Sequence, residues 1–410
     1  MVERKEYLDK LYSWKDEQII KVVTGIRRSG KSTLLAQYRD RLLSEGITRD
    51  RIIDINFEEI QNEEYLDYKN LYNYIVSRLS DKRTYIFLDE IQNVPHFEKA
   101  VDSLFIKENT DIYITGSNSY MLSSELATLL SGRYVEIHVL PLSFSEYACL
   151  TGNKGDAGFA DYMKFGGFPY TASMKRDAEN ALDEKINLYL DGIYNTVIVK
   201  DIWERMNKKD DDRPKRSVTD VSLLKTIARF LASVVGNPVS FNNITGYMTS
   251  TGRKVSQNTV SDYVEALTDA FIFYPAERFD ITGKELLKTN KKFYIVDLGL
   301  RNYILPRKTY DLGFSIENMV YFELLRRGYK VNIGKCGIYE VDFVAQKAGE
   351  TIYCQVTTDM TSPETFEREI RPLKMINDNF EKIILTLDRF TLGNYDGIKV
   401  VNVVDWMSGK

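Results

Sequence analysis

The stretch Gly25-Ile26-Arg27-Arg28-Ser29-Gly30-Lys31-Ser32 constrains this chain more than any other, because it fits G-x-x-x-x-G-K-[ST] at every fixed position. An apolar run over residues 19–24 leads into it and a helical pattern over residues 32–43 leads out, so a glycine turn joins a strand to a helix. Glycines let the backbone wrap an anion without a Cβ clash, and successive N–H groups then point inward as donors. The first turn of the following helix adds its dipole. Lys31 is predicted to bridge the β- and γ-phosphates of ATP, and the Ser32 hydroxyl to ligate Mg2+. Gly25, Arg28, Ser29, Gly30 and Thr33 are the remaining predicted nucleotide contacts.

The other half of such a site is also present. Tyr85-Ile86-Phe87-Leu88-Asp89-Glu90 is an apolar strand ending in two acids. Open α/β sheets bind ligands beyond the carboxyl ends of their strands. Asp89 is therefore expected to hold Mg2+ or its water, and Glu90 to polarise the attacking water. Further strand-like runs at residues 51–57, 111–115 and 134–140, with helical patterns between, make residues 1–150 an α/β domain around a mostly parallel sheet.

Together these motifs resemble AAA+ ATPases, and more closely a bacterial and archaeal subgroup whose loop reads Gly-Ile-Arg-Arg-Ser-Gly-Lys-Ser-Thr as it does here. The resemblance implies a sensor in Ile112-Tyr113-Ile114-Thr115-Gly116-Ser117-Asn118-Ser119, with Asn118 favoured over Ser117. It implies an arginine finger in Leu130-Ser131-Gly132-Arg133, since an arginine, often from a neighbouring subunit, stabilises charge on the transferred phosphoryl. Pro141-Leu142-Ser143-Phe144-Ser145-Glu146-Tyr147 matches the segment closing the subgroup's ATPase domain. Lys164-Phe165-Gly166-Gly167-Phe168-Pro169 matches the start of its accessory region, a tight turn with a structural role.

Residues 151–310 turn mainly helical, and the almost wholly charged run 208–216 reads as an exposed loop or linker. Helices near 221–235, 242–248 and 256–270, then strands at 271–279 and 292–296, follow the order of a winged helix-turn-helix. Its third helix would present Ser256, Gln257, Asn258 and Ser261, with Arg253 and Lys254 meeting phosphates and Lys284, Lys288, Lys291 and Lys292 on the wing loop. DNA or RNA is thus an expected partner through residues 253–292. The alternative is that these helices only pack against other domains and never touch nucleic acid. The formal net charge of −4 conceals that residues 151–310 alone lean basic, at +4.

Residues 311–410 resemble the restriction-endonuclease-like PD-(D/E)XK α/β fold, with Glu317 on the first helix and Asp342 on a strand. The next element falls at Gln355-Val356-Thr357, where a neutral amide replaces a carboxylate and threonine replaces the lysine. A nuclease frame without cutting activity is the expectation.

The fold expected is therefore α/β: a P-loop sheet domain over 1–150, a helical linker and winged helix over 151–310, and a nuclease-like domain over 311–410. No apolar run approaches the roughly 18–20 residues that span a bilayer, and the first residues lack an apolar signal segment. A cytoplasmic protein without a membrane partner is expected. Cys149, Cys336 and Cys354 without CxxC spacing, and only His96 and His138, argue against disulfides or a zinc site. The chemistry then rests on ATP and Mg2+, with hydrolysis driving conformational change in nucleic-acid-linked domains. A nucleotide-gated switch that binds a protein partner is the alternative, and a homo-oligomer is compatible with both.

Overall fold

A computed structural model of the chain describes residues 2–116, 130, 132–175, 179–204, 218, 220–305 and 312–409. Ser117, Asn118 and the charged run 208–216 lie outside the described residues. The chain forms two compact units, Met1–Pro141 and Leu142–Lys410.

In the first unit helix α1 (Lys5–Ser13) precedes an alternation of strands and helices: β1 (Ile20–Thr24), α2 (Lys31–Ser44), β2 (Ile52–Asn56), α3 (Tyr68–Ser77), β3 (Thr84–Asp89), α4 (Phe97–Phe105), β4 (Thr110–Thr115) and β5 (Tyr134–His138). The five strands run parallel in the order β2-β3-β4-β1-β5. Every residue of β1, β3 and β4 is buried, as parallel strands covered by helices on both faces must be. Alternate side chains serve opposite faces. Val22, Ile86 and Leu88 pack on Leu71, Ile75 and Leu104, while Val23, Phe87 and Tyr113 pack on Tyr7, Leu11, Leu34 and Tyr38. Strand β4 stands between β1 and β3, so the strand that leads into the glycine turn and the strand that ends in the acids are not immediate neighbours.

The second unit opens with α5 (Phe144–Thr151), α6 (Gly155–Phe165), α7 (Pro169–Ser173) and α8 (Glu179–Thr196). Next come α9 (Val221–Ser233), β6 (Pro238–Val239), α10 (Phe241–Ser250), α11 (Gln257–Asp269) and the hairpin β7 (Phe273–Asp280) and β8 (Glu285–Ile295). After α12 (Leu298–Ile304) and α13 (Leu312–Arg326), strands β9 (Lys330–Cys336), β10 (Tyr339–Lys347) and β11 (Glu350–Thr357) lead to α14 (Pro363–Lys374), β12 (Glu381–Thr386), β13 (Gly393–Tyr395) and β14 (Ile398–Asn402). One nine-stranded sheet, β13-β14-β12-β11-β10-β9-β7-β8-β6, holds them all.

This sheet crosses the boundary expected at residue 310. The parallel register of Arg278 on Ile333 and Asp280 on Lys335 joins the hairpin to the last hundred residues. Strand β8 also begins at Glu285, seven residues before the strand expected at 292. The turn of the hairpin is correspondingly short, and lysines expected on a wing loop fall on a strand.

The Gly-Gly-Phe-Pro turn has a structural cause. Gly167 N donates to Asp297 Oδ2 at 2.6 Å, and Asp297 Oδ1 accepts from Leu300 N at 2.9 Å, capping α12. A Cβ on Gly166, at φ +76°, would lie 2.1 Å from Asp297 Oδ1. Only glycine lets that backbone close on the carboxylate.

Candidate functional site

The glycine turn leaves β1 at the carboxyl edge of the first sheet. Gly25 has φ +138°, and a Cβ there would sit 2.2 Å from the Val139 carbonyl oxygen. Arg28 at φ 68° and Gly30 at φ 97° take left-handed backbone, which curls the loop. No side chain caps α2, and its first turn carries no acid. Its leading N–H groups are thereby left for an anion. Lys31 is buried, with Nζ donating to Gly25 O at 3.0 Å and Ile26 O at 3.3 Å. Ser29 is fully buried, and among the described residues its Oγ has no hydrogen-bond partner. An orphaned hydroxyl inside a curled loop is what a bound phosphate would satisfy. Arg28, Ser32 and Thr33 are exposed.

Asp89 and Glu90 are both buried, at the end of β3. Beside them is Thr115, the last residue of the intervening strand β4. Its hydroxyl donates to Asp89 Oδ1 and accepts from Glu90 N at 2.9 Å. The Ser32 hydroxyl also bonds Asp89. Burial pushes the Asp89 carboxyl above its ordinary range, while the Thr115 and Ser32 bonds and the Lys31 charge hold it down. Glu90 takes a left-handed backbone, φ 56°, uncommon outside glycine. Gln92 Nε2 donates to its carboxylate.

The structure thus brings Gly25, Ser29, Gly30, Lys31, Ser32, Asp89 and Glu90 to one edge of the sheet. Among the described residues no group of three or more His, Cys, Asp or Glu side chains could hold a metal ion. Ser32 and Asp89 fit a Mg2+ ion that draws its other ligands from phosphate and water, the usual habit of that cation.

Sequence reasoning missed three features here. Thr115 was visible only as a polar residue ending an apolar strand. On β5, Glu136 Oε1 accepts from Thr24 Oγ1 at 2.6 Å, and His138 Nδ1 shares the same hydroxyl at 3.0 Å. Burial, then the Lys31 charge, lowers the His138 imidazole to about 4, so the ring beside the loop is neutral near pH 7. Arg4 is the third, and carried no motif at all.

Arg133 is not brought to the loop of its own chain. Its carbonyl accepts from Ile20 N at 2.9 Å, at the amino end of β1, whereas the loop leaves the carboxyl end. Its guanidinium lies 5.4 Å from the Phe105 ring centroid. Asn118 lies outside the described residues.

In the second unit, Lys292 does not decorate a wing loop. It is 3% exposed, with Nζ 3.1 Å from Glu317 Oε1 and 2.8 Å from Glu340 Oε1. Neighbouring side chains on a strand point to opposite faces, and Lys291 accordingly meets Glu277 at 3.0 Å on the other side. The side chain of Lys288 lies outside the described residues. Arg253 is engaged with Asp220 and Ser222, while Lys254, Ser256, Gln257 and Asn258 are exposed. Glu317 also accepts from Tyr294 OH at 2.6 Å. Asp342 Oδ2 accepts from Val356 N at 2.8 Å, and the Gln355 amide bridges Asp342 N at 3.2 Å and Glu369 at 3.0 Å. Burial and the neighbouring Glu317 raise the Asp342 carboxyl.

Residues 17–148 match the family model of an AAA domain. The chain is 41% identical over 414 residues to an uncharacterized protein of Haemophilus influenzae, covering 99% of this chain and 98% of that one. It belongs to the same family. Residues 156–311 match a domain of unknown function (DUF8612). An uncharacterized protein of Methanocaldococcus jannaschii, MJ1544, is 29% identical over 392 residues, covering 89% of this chain and 81% of that one. The Walker-type ATPase PABY2304 of Pyrococcus abyssi shares the fold, with a TM-score of 0.50 at 16% identity over 74% of this chain and 96% of that one. Among the described residues no helix is long and apolar enough to cross a membrane.

Proposed function

We propose that this AAA-domain protein binds ATP at the loop Gly25–Thr33 and hydrolyses it to ADP and phosphate. The observation that carries the reading is the meeting of Lys31, Ser32, Asp89 and Glu90 around a loop with an unsatisfied buried hydroxyl. Lys31 would turn from the loop carbonyls to the phosphates. Ser32 and Asp89 would hold Mg2+, which when bound screens the charge on the β- and γ-phosphate oxygens. Glu90, aimed by its left-handed backbone and steadied by Gln92, would take a proton from the attacking water. Arg133, at the opposite edge of its own sheet, would serve only a second copy's nucleotide.

The winged-helix reading of residues 221–296 is supported by three helices followed by a hairpin, with β6 paired on its edge. Any nucleic-acid surface there rests on Lys254, Gln257, Asn258 and Lys284 rather than on Lys292. Turnover driving the second unit on nucleic acid is therefore the first form of the proposal. The alternative, a nucleotide-gated switch for a protein partner, draws on the engagement of Arg253, Lys291 and Lys292 within the chain.

Steady-state ATP hydrolysis, with and without DNA and RNA, separates the two. Stimulation lost in Lys31→Ala and Glu90→Gln supports the first form, and turnover indifferent to nucleic acid supports the switch. A protein that binds no ATP, with Lys31→Ala indistinguishable from wild type, would refute both.

A further inference from the structure

The proposed chemistry leaves one buried cation at the back of the loop without a role. Arg4, immediately before α1, is 3% exposed. Its Nη1 donates to Ser29 O at 3.1 Å and to Leu140 O at 3.0 Å, and its Nη2 to Pro141 O at 3.4 Å. The guanidinium lies over the Tyr7 ring, 4.5 Å from its centroid. Tyr7 OH accepts in turn from Leu140 N at 3.2 Å. The residue at 140 is therefore gripped at both its N–H and its carbonyl by two side chains of the N-terminal segment. That segment is itself fixed, because Tyr7, Leu8 and Leu11 pack into the core with Leu34, Leu35 and Tyr38 of α2.

We propose that Arg4 is a positioning residue of the nucleotide site, a role that rests on the ATP reading above. In a trans peptide the C=O and the following N–H point in opposite directions. Holding Ser29 O on the guanidinium thus turns the Gly30 N–H away from Arg4. An N–H turned that way joins the donors that line the inside of the loop. Gly30, at φ 97°, takes a left-handed backbone that glycine adopts without a Cβ penalty. Arg4 supplies the side-chain donor that holds Ser29 O in that setting.

The same guanidinium ties the loop to the last residues of the first unit. Val139 O abuts Gly25, while Leu140 O and Pro141 O share Arg4 with Ser29 O. A shift of the Ser29–Gly30 peptide on phosphate binding is felt at 139–141, immediately before Leu142 begins the second unit. A planar fork of donors reaches carbonyls from two chain segments at once, which a single ammonium does not reproduce.

The test compares wild type, Arg4→Lys, Arg4→Met and Lys31→Ala, each assayed well below its melting temperature. Fluorescent ATP binding with Mg2+ and hydrogen exchange of peptides spanning residues 28–33 and 138–143 are the readouts. Losing hydrogen bonds to a charged group should weaken ATP binding by about tenfold in Arg4→Met, with Arg4→Lys intermediate. Without nucleotide, both peptides should exchange faster in Arg4→Met, and ATP should no longer protect 138–143. A merely structural arginine would lower Tm and loosen α1 without singling out the loop or the ATP affinity. Wild-type ATP affinity in folded Arg4→Met, or unchanged exchange over 28–33, overturns the proposal. If wild type and Lys31→Ala both fail to bind ATP, the ATPase reading falls, and an exchange pattern confined to α1 would then overturn the Arg4 role as well.

Discussion

Thr115 and Asp89 share a buried hydrogen bond across the carboxyl ends of two adjacent parallel strands, and the same threonine hydroxyl receives the Glu90 N–H. One side chain thereby sets the position of both acids. Thr115→Val keeps the shape and removes the hydroxyl, so the Glu90 N–H loses that acceptor and Asp89 Oδ1 loses that donor. Such a loss costs about 1–3 kcal/mol in a buried site, or roughly 5- to 150-fold in rate if it falls on the transition state. ATPase assays should show kcat down by that factor and a higher Mg2+ requirement, with Thr115→Ser close to wild type. Wild-type kcat and Mg2+ dependence in the valine variant would show that Thr115 does not position the acids.

How much was legible in the sequence follows from which contacts are local. The loop at Gly25–Ser32 and the acids at Asp89 and Glu90 are read directly, because phosphate binding and a strand end each impose a short pattern of residue types. Thr115 is not singled out: the sequence places it only within the sensor segment 112–119, and its bond to Asp89 is a matter of tertiary packing. Arg4 is silent for the same reason, its acceptors lying 25 to 137 residues away. Lys292 misleads because a lysine-rich run beside a turn looks like a solvated loop, whereas β8 runs through it and puts successive lysines on opposite faces. The pairing of β7 with β9 spans the expected boundary at 310, and nothing local announces it.

Burial of Lys292 yields a contrast between two adjacent residues. Lys292→Met would leave Glu317 buried beside Asp342 without its cation, and breaking a buried pair from one side costs about 3–5 kcal/mol. Lys291→Met removes a half-exposed pair with Glu277 and should change stability by less than about 1 kcal/mol. Denaturant titration of the two variants measures the difference. Equal, small effects would mean that Lys292 is solvated after all.

Asp297 gives a dependence on pH. Burial raises its carboxyl to about 6, against the downward pull of the Gly167, Leu300 and Gly299 N–H groups. A folded-state value above the unfolded one means that the folded form holds the proton more tightly. The stabilisation is complete below the unfolded value of 3.8 and is lost as pH rises through about 6. The shift corresponds to about 3 kcal/mol. The stability of wild type should therefore carry a downward slope between about pH 4 and 6 that Asp297→Asn lacks. Parallel pH profiles for the two proteins would rule out Asp297 as the source.

The polar cluster around Asp342 is closed on itself, which bears on whether it cuts nucleic acid. Both ends of the Gln355 amide are engaged, with Asp342 N and with Glu369, and Thr357 offers no cation where the nuclease pattern has lysine. Glu317 is held by Lys292 and Tyr294. A metal would have to displace these bonds before finding ligands, and a neutral amide repays less of that cost than a carboxylate. Purified protein incubated with Mg2+ or Mn2+ should leave DNA and RNA intact on gels, with wild type and Asp342→Ala alike. Cleavage by wild type that disappears in Asp342→Ala would show that the cluster opens to a metal and cuts nucleic acid.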